Sequence, residues 1–190
     1  MRDKPVDDEL VALMKKHGAW MAATTLTREY SVFTYVRGAP FADDPWFVRS
    51  VDPADRATIK TKAFQDKAAL DHTYPRYQNE FMDIAKRNIK KLADAGVKIG
   101  FGTDTGPPAR FPGFFEHLEM EFLVDSGLTP VQILTAATKN SAEFLGESKN
   151  FGTLEKGKWA DFVVLGKNPL ENIKNSRSVE QTWVAGNRAY

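Results

Sequence analysis

The chain is 190 residues long, with 42% apolar and 27% charged residues, a balance that suits one folded core or a core plus a small appendage and argues against a disordered chain. Lys and Arg number 26 against 25 Asp and Glu, so the net charge of +1 gives no electrostatic basis for a nucleic-acid or anionic-membrane partner. Cysteine is absent, which removes disulfides and thiolate metal sites, and no apolar run approaches the roughly 20 residues that a membrane span needs.

The first residues, Met1 to Val6, carry no apolar core of a signal peptide. The compartment stays open, cytoplasmic by default, because an upstream targeting segment would leave no mark here. Asp7 reads as a helix N-cap, with Asp8 and Glu9 in the first turn. Leu10, Leu13 and Met14 supply an apolar stripe, His17 sits near the favourable negative end, and Gly18 fits the left-handed exit. Residues 19–26 (AWMAATTL) read as a buried parallel strand. Residues 28–56, with Pro40, Pro45, Pro53 and Gly38, read as an irregular connection, either a lid or a structural excursion.

From Arg56 to Ala95 helical patterning returns, broken near Tyr74-Pro75, with His72 beside the break on the surface. Phe81, Ile84, Ala85, Asn88, Ile89 and Leu92 share one face, and Gly96 ends the helix. A short strand over 97–104 ends in Asp104, and a Pro/Gly-rich loop leads to a helix from about Phe114 to Ser126. Glu116, Glu119 and Glu121 on that helix read as solvated. Thr129-Pro130-Val131-Gln132 is a capping box with proline at the first helical position; Ile133, Ala136, Ala137 and Phe144 follow before Gly146. After Asn150, Gly152, Gly157, Gly166 and Gly186 punctuate short β-like runs at 161–165 and 179–184. Nucleotide binding through residues 100–106 is disfavoured, because the glycine spacing is one residue too long and Pro107-Pro108 follow where a helix N-terminus is needed.

Three stretches in order resemble the end of an amidohydrolase-superfamily enzyme, in the branch of imidazolonepropionase-like and Xaa-Pro-dipeptidase-like hydrolases. They are Gly102-Thr103-Asp104; Gly127-Leu128-Thr129-Pro130 with Ala136-Ala137-Thr138 and Asn140-Ser141-Ala142; and residues 152–165 (GTLEKGKWADFVVL) with Asn168-Pro169-Leu170. The resemblance implies an α/β fold, with residues 1–150 the last strands and helices of an incomplete (β/α)8 TIM-type barrel. Residues 151–190 would be the C-terminal portion of a small β-sandwich-like domain. The implied activity is metal-dependent hydrolysis of C–N bonds in non-peptide amides, cyclic amides or dipeptides. The alternative is a truncated or degenerate non-catalytic relative that associates with another polypeptide.

Residues at the C-terminal ends of barrel strands face the active site, and a carboxylate there can ligate a metal and accept a proton. The resemblance gives Asp104 both parts, against the plainer reading of a carboxylate that caps a turn. His117 is a candidate substrate contact or an ordinary helical histidine. Arg28 and Tyr30 are candidates for a substrate carboxylate or solvated loop residues. The family's His-x-His pair is missing: the three histidines, His17, His72 and His117, are far apart, and the chain begins just past the expected ligands. Catalytic zinc needs three protein ligands and an open position. A complete enzyme would therefore carry the divalent metal, zinc, and an amide substrate, whereas this chain alone would bind none. Two barrel strands alone would leave edges and apolar faces in water, which points to a homo-oligomer or a complementing chain.

Overall fold

The computed structural model describes residues 2–22, 24–70, 80–107 and 109–189. The expected break at Tyr74-Pro75, with His72, lies outside them. The fold is α/β, with helices around one short parallel pairing and a small antiparallel sheet at the C-terminal end.

Helix α1 (Asp8–Lys16) starts where the Asp7 carboxylate accepts the Leu10 N–H at 2.8 Å, and Gly18 leaves it at φ +60°. Of its expected apolar stripe only Met14 is buried, while Leu10 and Leu13 are 38% and 46% exposed. The expected strand over 19–26 is shorter than read. Met21 bridges Ile99 in parallel, donating to the Lys98 carbonyl at 3.0 Å and accepting from Gly100 at 2.8 Å. A Cβ on Gly100 would lie 2.7 Å from the Ala22 carbonyl oxygen, so this close approach requires glycine. Thr25 then turns to φ +54°, and Leu26 begins helix α2 (Leu26–Tyr35).

Residues 28–56 are not an irregular lid. They hold most of α2, a 3-10 turn (Pro40–Asp43), α3 (Pro45–Ser50) and the start of α4 (Pro53–Ile59), followed by α5 (Lys62–Ala69). The prolines read as loop punctuation are helix-starting residues, each first in its element and needing no N–H there. Asp44 caps α3 and Asp52 caps α4, accepting from Trp46 at 2.8 Å and from Ala54 at 2.7 Å. Phe41 and Phe47 join Phe111, Phe114 and Phe115 in an aromatic core, so this segment is held by packing.

Helix α6 (Met82–Asp94) buries Ile84, Ala85, Asn88, Ile89 and Leu92 on one face, as its periodicity predicts. The Asn88 amide is satisfied there, accepting from Val6 N–H and donating to the Lys4 carbonyl, each at 2.8 Å. Helix α7 (Phe114–Asp125) ends at Gly127, φ +94°. Thr129 and Gln132 form the expected capping box on α8 (Pro130–Thr135). A π-helical turn (Ala136–Asn140) and α9 (Ser141–Phe144) follow. The appendage is one antiparallel sheet of β1 (Phe162–Leu165), β2 (Val179–Val184) and β3 (Asn187–Arg188), with no second sheet across it among the described residues. The 3-10 turn Ile173–Arg177, between β1 and β2, packs on α7.

Phe47 is fully buried, with ring centroids of Phe41, Phe111 and Phe114 at 5.2, 5.0 and 4.9 Å. Phe47→Ala should lower the unfolding free energy by about 3–5 kcal/mol, read from urea denaturation. A loss below about 1 kcal/mol would mean that residues 40–56 do not share the core.

Candidate functional site

The segment over 97–102 is held from both sides. Towards residues 21–25 it makes the Met21 bonds, and the Gly102 carbonyl accepts from Thr25 N–H at 2.9 Å. On its other edge the Asn140 side chain donates to the Ile99 carbonyl at 2.8 Å, and Phe101 N–H donates to the Ser141 hydroxyl at 3.3 Å. The Asn-Ser pair singled out by resemblance thus takes backbone groups that an adjacent strand would otherwise satisfy. This anchoring delivers Asp104 to the C-terminal end of the pair, at φ +59°, a left-handed conformation uncommon outside glycine.

The Asp104 side chain is about half exposed, at 47%. Its Oδ2 lies 2.5 Å from Arg110 Nη1 and 3.6 Å from Arg28 Nη1, and Arg110 also donates to the Asp104 carbonyl at 3.2 Å. Arg110 returns to Asp104 because the loop folds back on Glu116. One oxygen of Glu116 accepts from the Thr103 and Thr105 hydroxyls, each at 2.7 Å, and the other accepts from Gly113 N–H at 2.5 Å.

Arg28 comes from the first turn of α2, and that turn is fixed by Glu119. Glu119 is completely buried and accepts from Leu26 N–H at 2.8 Å, Thr27 N–H at 2.7 Å and the Thr27 hydroxyl at 2.8 Å. Burial raises its pKa, and the donated hydrogen bonds only partly offset the rise. The expectation that Glu116, Glu119 and Glu121 are solvated is therefore overturned. Glu116 clasps the loop, Glu119 caps a helix from another helix, and Glu121 pairs with Arg177 and lies 3.7 Å from Lys174.

The other predicted residues lie in different surroundings. The Tyr30 ring packs against Phe122 at 4.9 Å and Phe41 at 6.1 Å, and burial raises its hydroxyl pKa. His117 Nδ1 lies 2.8 Å from the Ser176 hydroxyl, with the Trp46 ring at 5.3 Å. Burial lowers His117 to about 4; the positive charge of Arg177 acts the same way and Glu116 opposes. Arg177 bridges this region through Asp44 at 3.0 Å and through Glu121. Of the predicted substrate contacts, Arg28 is the one seen paired with Asp104.

Sequence reasoning missed Arg110 and Glu119. The spacing Phe115, Glu119, Leu123 puts the glutamate among buried positions on one helical face, a signal that could have found it. Arg110 carried no comparable signal, since its reach depends on the loop's return. A metal centre is not formed by the residues present: among the described residues no three His, Cys, Asp or Glu side chains group to hold an ion. Asp104 instead faces two guanidiniums.

Glu119→Ala would leave two buried backbone N–H groups and a hydroxyl without an acceptor. The expected loss is about 3 kcal/mol or more, with Glu119→Gln losing less, both measured by urea denaturation. His117 titrates lower in the folded state than unfolded, so unfolding takes up a proton between about pH 4 and 6.5. Stability should fall as pH drops through that window, and His117→Leu should flatten the slope of urea midpoint against pH. An unchanged slope would show that His117 is not buried in solution.

The profile of the amidohydrolase family matches residues 7–189. Over 97 residues the chain is 38% identical to ochratoxinase of Aspergillus niger, spanning 48% of this chain and 19% of that protein. Over 85 residues it is 36% identical to a 5-methylthioadenosine/S-adenosylhomocysteine deaminase of Bacillus thuringiensis (strain Al Hakam), spanning 41% of this chain and 19% of that one. The crystal structure of a Xaa-Pro dipeptidase with bound methionine superposes on 96% of this chain and 37% of its own length, with TM-score 0.63 and 22% identity. That of A. niger ochratoxinase covers 98% of this chain and 36% of its own, with TM-score 0.62 and 24% identity. These likenesses establish a shared fold, and the family profile, running across nearly all of the sequence, establishes that this chain belongs to the amidohydrolase family.

Proposed function

We propose that these residues form the C-terminal part of a hydrolase acting on C–N bonds of non-peptide amides, cyclic amides or dipeptides. Residues 1–150 would be the closing portion of a (β/α)8 barrel and residues 151–190 the end of its small β domain. The carrying observation is that two parallel segments, joined at Met21 and Ile99, open at their C-terminal ends onto Asp104 and Arg28. Catalytic groups of this architecture stand in that position.

Within this reading Asp104 is the proton carrier, accepting a proton at its carboxylate and passing it to the leaving nitrogen. Arg28, from the helix that follows the first segment, would hold a carboxylate of the substrate through its planar fork. Tyr30 and His117 would flank the pocket from α2 and α7. The divalent metal general to the family, zinc in this reading, supplies the activated nucleophile when bound. Asp104 would be one of its ligands and the others would have to come from outside the described residues, since no three His, Cys, Asp or Glu side chains group to hold an ion among them.

A second reading is a non-catalytic relative that works by association with another polypeptide or a second copy. What favours it is the pairing of the Asp104 carboxylate with Arg110 and Arg28.

The two readings separate by assay. A polypeptide that supplies the remaining barrel strands together with these residues should hydrolyse N-acyl amino acids, cyclic amides or dipeptides. Asp104→Asn within it should lower kcat/KM by at least about 100-fold. Turnover unaffected by that substitution would remove Asp104 from catalysis, and absence of turnover in the assembled polypeptide would favour the second reading.

A further inference from the structure

Residues 151–189 have almost no interior of their own. Their buried side chains are Ile173 and Ser176, both on the 3-10 turn that packs on α7. No residue of β1, β2 or β3 is buried, and Val163 and Val184, on one face of the sheet, are each 54% exposed. A three-stranded sheet that buries so little of its apolar surface is marginal in water.

The two edges of this sheet differ. β3 is two residues long and carries Asn187 and Arg188, a short polar edge of the kind that discourages further pairing. β1 is an apolar run, Phe162-Val163-Val164-Leu165, without charge or proline, and no strand lies on its outer side among the described residues. The irregularity in the ladder inserts Glu180 into β2, so β1 itself stays regular. The Ala160 carbonyl accepts from Gly186 N–H at 3.2 Å, and Gly166 N–H donates to the Ser178 carbonyl at 2.8 Å, so even-numbered positions turn their backbone groups inward. Asp161, Val163 and Leu165 therefore offer theirs outward.

Charges at the two ends of β1 fit a second copy running the opposite way. Asp161 and Lys167 flank the strand, both exposed, and the Asp161 carboxylate is held beside the edge by Ala185 N–H at 2.6 Å. A copy related by a two-fold axis at Val164 sets Val163 against Leu165 of the other chain and Asp161 against Lys167, twice over by symmetry. The register centred on Val163 would instead set Asp161 against Leu165 and leave both charges unmatched.

We propose that β1 is a self-association edge. Two copies of this chain pair antiparallel through Phe162–Leu165, joining their sheets into one, with Asp161 and Lys167 fixing the register. This rests on the second reading above, association with a second copy, and names the surface that does it.

The test is sedimentation equilibrium of the 190-residue chain from about 1 to 300 μM. A species of twice the 21.3 kDa chain mass should form with a dissociation constant of about 100 μM or tighter. Amide exchange followed by NMR should slow at Val163 and Leu165 as concentration rises, because those N–H groups turn away from β2. Val163→Pro removes an outward donor while leaving the β1–β2 ladder intact, and should raise the dissociation constant at least about tenfold. Lys167→Glu, which sets two carboxylates together, should weaken the dimer similarly, and adding Asp161→Lys to it should restore most of the affinity. A merely structural role of either residue predicts no such rescue. Circular dichroism checks that each variant folds, and the Lys167 variants carry the test if Val163→Pro does not. A monomer throughout the range overturns the proposal, as does an unbounded series of larger aggregates, or a dimer in which the Val163 and Leu165 amides exchange freely. A dimer indifferent to Val163→Pro and Lys167→Glu also overturns it, while leaving the second reading itself intact.

Discussion

A carboxylate with no access to water holds the N-terminus of α2. Glu119 reaches from α7 to the first N–H groups of α2, where the helix dipole is positive and donors lack intrahelical partners. Thr25, in the left-handed region, supplies no side-chain cap of its own, so the acceptor has to come from elsewhere in the chain. This contact sets where the segment over 19–25 ends and α2 begins, and Arg28 follows one position after Thr27.

A second constraint works from the opposite side. The loop from Thr103 to Gly113 is long and rich in proline and glycine, and its return depends on Glu116 taking three donors at once. Glu116 and Glu119 lie one turn apart on α7, so a single helix organises both walls of the mouth. The aromatic core beneath, with Phe114 and Phe115 on that helix and Phe41 and Phe47 from the segment over 40–50, keeps α7 in register. The 3-10 turn Ile173–Arg177, between β1 and β2, is tied to the same helix through His117 with Ser176 and Glu121 with Arg177.

These arrangements separate the family's chemistry from what these residues do alone. Membership of the amidohydrolase family rests on a profile across nearly the whole chain, and the proposed hydrolysis rests on the placement of Asp104. In this chain that side chain is paired with Arg110 and lies 3.6 Å from Arg28.

Features governed by local physics were legible in the sequence. The Asp7 and Thr129 caps, the Gly18, Gly96 and Gly127 exits, the buried face of α6 and the β-runs near 162–165 and 179–184 depend on neighbours within a few residues. The order of three motifs sufficed to place the family. Asp-Pro at 44–45 and 52–53 was misread because proline punctuates loops and starts helices alike, and only burial of Phe41 and Phe47 separates the two uses. Tertiary structure alone decided the partners of charged groups. The contact of Glu119 with Leu26 spans 93 positions, and the meeting of Arg28 with Asp104 requires both segments to lie side by side. Charge pairing across such distances leaves no periodicity along the chain, because it is set by which backbones pack together.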